Sequence, residues 1–174
     1  LLTDIVVSAP ALAEYLGRNS GVLDAVLSGD FFTPWPDQQA LEAQLLGALM
    51  QSSDYETGLD LTRIWMKEWH FRIGVHVLQE VITPGTASVQ YAQLAQAVVV
   101  VLFGFVQREF ARKYGQVAES NATILTMGSL GAGRLNSDSD LDLILIFNSV
   151  SDAMSDGPKS LACRQYFSRL TQAL

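Results

Sequence analysis

The chain has 174 residues, with 18 acidic against 11 basic side chains, a net charge of −7 and a pI near 4.6. That length buries a substantial core and corresponds to about one domain, while the acidic balance excludes broad phosphate-backbone binding, which depends on clustered Lys and Arg, and argues against a polymerase. Cys163 is the single cysteine, so it has no internal disulfide partner, and no second ligand for a zinc pattern stands near it; the expected setting is cytoplasmic. The chain opens on Leu1 without an initiator methionine and is expected to be a piece of a longer protein.

In chain order, residues 10–16 and 21–27 read as two short helices, ended by the aromatic and proline-rich turn Phe31, Phe32, Thr33, Pro34, Trp35, Pro36. Asp37 is placed to cap a helix reaching Leu49, and Asp54 to cap the next, because an aspartate there accepts the free N–H groups of the first turn. Met66, Trp69, Ile73, Val77 and Val81 recur at helical spacing and predict a long helix over 55–82. Thr83-Pro84-Gly85 breaks it. A second long helix, 87–114, carries Tyr91, Leu94, Val98, Val101 and Phe105 on a matching face, so the two are expected to pair antiparallel, with Gly104 permitting close approach. Its apolar run 97–106 is too short for a membrane span of roughly 20 residues and reads as a buried helix. The N-terminus lacks the basic region of a signal peptide. Gly115 ends the second helix. Arg63, Glu68 and Arg72 lie at helical spacings, where Glu68 can pair with Arg72 four residues on; structural support is the expected role. His70 and His76 have no partner at metal-ligand spacing, and the Trp and Phe residues read as core.

Residues 127–147 read MGSLGAGRLNSDSDLDLILIF. A short strand, 123–127, runs into a sharp turn at Gly128-Ser129, and Asp140 and Asp142 open a second strand. Residues two apart in a strand point the same way, roughly 6 to 7 Å apart, so the two carboxylates share a face. Leu141, Leu143, Leu145 and Phe147 take the other face, and the strand is expected to be buried except at its acidic tip. Two carboxylates side by side are costly to bury unless a cation neutralises them. Beside a glycine turn, they suit Mg²⁺ carrying a nucleotide's phosphates. A short helix starting near Ser129 would turn its free N–H groups toward phosphate oxygens, with the Ser129 hydroxyl adding a hydrogen bond. Asp138 is expected to be solvated, and Arg134 reads equally as a phosphate contact or a surface residue.

Gly128-Ser129 followed by Asp140-Leu141-Asp142 resembles the signature of the nucleotidyltransferase superfamily that includes DNA polymerase β and kanamycin nucleotidyltransferase. The longer segment is similar to glutamine synthetase adenylyltransferase, a two-headed enzyme of bacterial nitrogen control. The opening of the chain, the 31–37 segment, the Arg63, Glu68, Arg72 pattern and the 155–159 segment SerAspGlyProLys with its following helix from Gln165 extend the likeness over nearly the whole length. The last of these resembles the C-terminal, adenylylating half, while Ala132–Gly133–Arg134–Leu135–Asn136 is similar to a segment of the N-terminal, deadenylylating half. The family usually carries lysine where Ser129 stands.

The resemblance implies a mostly helical α+β protein: a helical region, 1–120, packed on the start of a polymerase-β-like nucleotidyltransferase fold, 121–174. It implies metal-binding, catalytic Asp140 and Asp142, nucleotide contacts from Gly128, Ser129 and Arg134, and Mg²⁺ with ATP as substrate. It further implies glutamine synthetase as protein substrate, the PII signalling protein as a partner through the rest of the parent enzyme, and neither nucleic acid nor membrane. The superfamily's third carboxylate is not found in the chain, so residues 1–174 alone are expected to be inactive. The alternatives are the phosphorolytic head of the same enzyme, a small-molecule nucleotidyltransferase, which the long helical lead-in disfavours, and a degenerate nucleotide-binding or regulatory domain.

Overall fold

The computed structural model describes residues 30–150 and 153–174, together with Ala13, Glu14 and Gly17. The helices expected at 10–16 and 21–27 lie, apart from Ala13 and Glu14, outside the described residues.

Asp37 ends an extended segment and accepts the Ala40 N–H at 2.8 Å on its Oδ1, starting α1 at Gln38–Leu49. Asp54 repeats the device with the Thr57 N–H at 2.8 Å and starts α2, Tyr55–Leu78. Both caps stand as the sequence predicts. α2 stops four residues short of the expected end because Glu80 turns left-handed, φ 56°. Its N–H then reaches Val77 O at 3.0 Å and the Val81 N–H reaches His76 O at 2.9 Å, the paired closing bonds of a Schellman turn. Thr83 caps α3, Pro84–Tyr114, whose proline occupies the first helical position, where no N–H is needed. Thr83-Pro84-Gly85 therefore starts the second long helix as well as separating it from the first.

α1, α2 and α3 pack together. Leu45 and Leu49 of α1 meet Val98, Val101 and Phe105 of α3 in one cluster, and Ile73 of α2 meets Tyr91 and Leu94 of α3 in another. The predicted α3 face is buried at every position. At 31 residues α3 is long and apolar enough, by length and composition, to cross a membrane, which the 97–106 run alone did not indicate. Here half of that apolar stretch is packed inside the protein.

Gly104 is not the point of close approach: a Cβ there would meet nothing within 4 Å. The approach is at Gly58 of α2, where a Cβ would stand 2.4 Å from Cζ of Phe105, whose ring stacks parallel on Tyr55. Gly58→Ala is therefore expected to lose about 1–3 kcal/mol by overpacking, read as a lower urea midpoint with unchanged slope, whereas Gly104→Ala should equal the wild type or exceed it.

The segment before α1 is a strap rather than a free turn. A 3₁₀ turn, Asp30–Phe32, leads into a stretch clipped to both long helices. Arg72 donates to the Thr33 carbonyl instead of pairing with Glu68, and stacks over Trp69 at 4.9 Å. Trp35 Nε1 donates to Gln93 Oε1 at 2.8 Å. His76 Nε2–H donates to the Phe31 carbonyl at 2.8 Å, with the Phe32 ring stacked on the imidazole. Burial, assisted by the Arg72 charge, holds His76 below the ordinary imidazole pKa despite that hydrogen bond, and burial does the same to His70. A folded pKa below the unfolded value of about 6.5 means stability that is complete above that pH and is lost as pH falls toward the folded pKa. His76→Gln keeps a donor and removes one of these titrations. Its urea midpoint should fall less than that of the wild type between about pH 7.5 and pH 5.5; equal falls would show that His76 is not the sensitive group.

β1, Asn121–Thr126, and β2, Leu143–Asn148, form an antiparallel pair in the register Asn121↔Asn148 to Thr126↔Leu143. Ala122 and Leu145 face the cluster built by Val106, Val117, Tyr166, Phe167 and Leu170, and so tie the strands to α3 and to α5, Cys163–Ala173. The opposite face is open. Ile144 and Ile146 are each 46 % exposed, so β2 is not buried as expected: among the described residues the sheet has two strands and packs on one side. Cys163 is buried, its thiol donating to Ser149 Oγ at 2.8 Å.

Candidate functional site

The site lies where the hairpin opens. Pairing ends at Thr126↔Leu143, one step before Asp142, so Asp140 and Asp142 precede β2 rather than forming its first residues. The physical cause is Gly128. At φ 55° it swings the chain away from its partner and into a single helical turn, α4, Gly128–Gly131. One backbone contact still crosses the opening, from the Met127 N–H to the Asp142 carbonyl at 2.9 Å. It sets Asp142 against the turn.

The Asp142 side chain folds over Gly128. A Cβ on Gly128 would stand 2.5 Å from Asp142 Oδ2, so the glycine is required both for its left-handed backbone and for the space the carboxylate occupies. Asp140, Asp142, Ser129 and Arg134 are all solvent-exposed. Arg134 is joined to the turn through its own N–H, which reaches the Ser129 carbonyl at 3.0 Å. Asp138 is exposed, as expected, and accepts from Ser137.

The loop between α4 and β2 is anchored by residues whose sequence context carried no such signal. Leu130 and Leu135 are buried in the cluster with Tyr91 and Leu94, and the Leu135 N–H bonds the Ser88 carbonyl on α3 at 3.0 Å. A short Asn136–Ser139 turn, with the Asn136 N–H donating to Ser139 Oγ at 2.9 Å, then delivers Asp140. The first half of α3 is thus the floor beneath the site. Leu135, flanked by polar residues, could have been recognised only as an apolar residue in an otherwise polar loop.

Among the described residues no cluster of three or more His, Cys, Asp or Glu side chains is poised around a metal. Two carboxylates suffice for Mg²⁺, a hard cation that keeps several waters and shares its remaining positions with substrate phosphates. Asp142, held over Gly128, and the exposed Asp140 two residues before it offer the carboxylate oxygens such an ion takes. The exposure of both aspartates removes the premise that burial forces them to take one.

The fold and the site together define an α+β protein, mostly helical, that sets the exposed Asp142 against a glycine turn at the open end of a hairpin, with Asp140 exposed two residues before it. The chain belongs to the Glutamate-ammonia ligase adenylyltransferase family, whose model matches residues 1–174. It is 38 % identical over 175 aligned positions to the bifunctional glutamine synthetase adenylyltransferase/adenylyl-removing enzyme of Rhodopseudomonas palustris strain TIE-1. It is 38 % identical to the enzyme of that name from Brucella suis biovar 1 and 34 % to that from Bradyrhizobium diazoefficiens. Each alignment covers the whole of this chain and 18 % of the relative, so the chain spans about a fifth of the length of the curated relatives it matches.

Proposed function

We propose that this chain is the nucleotide-handling part of the adenylylating half of such an enzyme, transferring AMP from ATP to a tyrosine of glutamine synthetase. The observation that carries the reading is the meeting of the Asp142 carboxylate with the Gly128 turn. It supports a shared site for a cation and a phosphate group. In this reading residues 121–174 begin a polymerase-β-like nucleotidyltransferase domain, and residues 1–120 are the helical region that positions it.

Asp140 and Asp142 would hold Mg²⁺, which when bound neutralises charge on the ATP phosphates. Gly128 leaves room for the carboxylate and for close approach of a phosphate. The Ser129 hydroxyl donates a hydrogen bond to a phosphate oxygen, and Arg134 adds positive charge. The tyrosine oxygen attacks the α-phosphorus, the bond from that phosphorus to the bridging oxygen breaks, and pyrophosphate leaves with the electron pair. The phenol, with a pKa near 10, must give up its proton to a base. With no third carboxylate grouped with Asp140 and Asp142 among the described residues, the base is assigned to another part of the parent protein, and residues 1–174 alone should be inactive. Regulation by the PII signalling protein belongs to the rest of the parent enzyme too, in the cytoplasm.

The second reading is the deadenylylating head, favoured by the 132–136 segment. α-labelled ATP given to the parent protein with glutamine synthetase distinguishes the two. Label should appear on the synthetase. Phosphate-dependent release of ADP from pre-modified synthetase, lost on mutating Asp140 and Asp142, would instead assign the phosphorolytic head. Mg-ATP binding with neither reaction would indicate a degenerate domain.

A further inference from the structure

Away from the carboxylates, the seam where α2, α3 and α5 meet holds an open cavity of about 540 Å³, with Tyr55, Phe110, Lys113, Tyr114, Arg169 and Gln172 in its lining. None of these belongs to the candidate active site. Lys113 Nζ stands 5.1 Å and Arg169 Cζ 5.9 Å from the centre of the Tyr114 ring, so two cations converge on one aromatic residue. The Tyr114 ring itself lies against Phe110 at 4.4 Å, which fixes the platform. The π-face holds a cation in place without neutralising it.

Two nearby carboxylates, Glu109 and Asp156, are engaged elsewhere. Glu109, on the cavity wall, is paired with Arg112 at 2.6 Å. Asp156 accepts the Gln116 N–H at 2.7 Å. Among the described residues neither Lys113 nor Arg169 makes an ion pair. In a chain of net charge −7, unneutralised positive charge over a concave aromatic floor is a local exception. Its volume lies in the range of small-molecule sites, of the order of 300–1,000 Å³. We propose that this cavity binds a small organic anion, its carboxylate or phosphate held between Lys113 and Arg169 and its body against the Tyr114 and Phe110 rings.

Lys113 and Arg169 are exposed, so their replacement leaves the core intact. The test is calorimetric titration of citrate and, separately, inorganic phosphate into the full chain at constant ionic strength. At least one should saturate at one site per chain, and which one does so distinguishes carboxylate from phosphate. Lys113→Gln and Arg169→Gln should each weaken binding at least about tenfold, roughly the loss of one charge-assisted contact, while Asp142→Asn leaves it unchanged. A second readout is Tyr114, whose phenol is held below its ordinary range by hydrogen bonding to Lys113 and then to Arg169. An anion that draws off those cations should raise its ionisation pH, followed by phenolate absorbance. Failure of both anions to saturate by about 10 mM, an affinity too weak for a built site, or wild-type affinity in both variants, would overturn the proposal.

Discussion

Asp142→Asn in the parent enzyme is expected to lower adenylyl transfer by about 10³-fold or more, equivalent to about 4 kcal/mol of lost transition-state stabilisation. Gly128→Ala should approach the same loss without replacing a carboxylate. Its Cβ would stand 2.5 Å from Asp142 Oδ2 and so displace the acid from the turn. The left-handed backbone at φ 55° adds a cost of about 1–2 kcal/mol for any L side chain. Ser129→Ala removes one hydroxyl hydrogen bond and is expected to cost only about tenfold. The check is the initial rate of label transfer from α-labelled ATP, with thermal melting run on each variant. A Gly128→Ala enzyme that is folded and fully active would show that the carboxylate does not need its place over the turn, and the proposed site would fall with it.

The largest expected effect on stability lies at the crossing of Gly115 and Gly157. Gly115 ends α3 at φ 75°, ψ −156°, a region essentially reserved for glycine. The 155–159 segment then packs directly on it. The Asp156 N–H reaches Gln116 O and the Gly157 N–H reaches Tyr114 O, each at 3.1 Å. A Cβ on Gly115 would stand 2.1 Å from Gly157 N, and a Cβ on Gly157 would stand 2.1 Å from Gly115 N. Both obstructions are backbone, so neither can swing aside as a side chain would. Gly115→Ala or Gly157→Ala should therefore cost about 3–5 kcal/mol, or roughly 10 °C in melting temperature for a protein of this size. Because both substitutions break one contact, the double variant should be little worse than either single one. Additive losses in a double-mutant cycle would mean that the two glycines act separately.

Much of the helical architecture is legible without coordinates, because caps and periodicity are local. Asp37, Asp54 and Gly115 act within one turn of where they stand, and the Tyr91, Leu94, Val98, Val101, Phe105 face follows from 3.6 residues per turn. What failed was partnership. Gly104 and Gly58 are both helical glycines, and only the approach of Phe105 selects the second. Glu68 lies four residues before Arg72, yet the guanidinium takes the Thr33 carbonyl, 39 residues away. The hairpin's alternation of faces was legible, whereas its burial was not, since β2 has one open face.

Spacing along the chain was enough to find the Asp37 and Asp54 caps, the long helices with their apolar faces and the family, because caps and periodicity act within a turn or two of where they stand. Packing between distant segments alone lays Asp142 over Gly128, pins Leu135 and its loop to α3, closes Gly157 on Gly115 and brings Arg169 to join Lys113 at the Tyr114 ring. Each of these joins residues separated by 14 to 56 positions. Chain proximity does not constrain such contacts; they exist only because the packed helices and the hairpin bring their backbones within van der Waals reach.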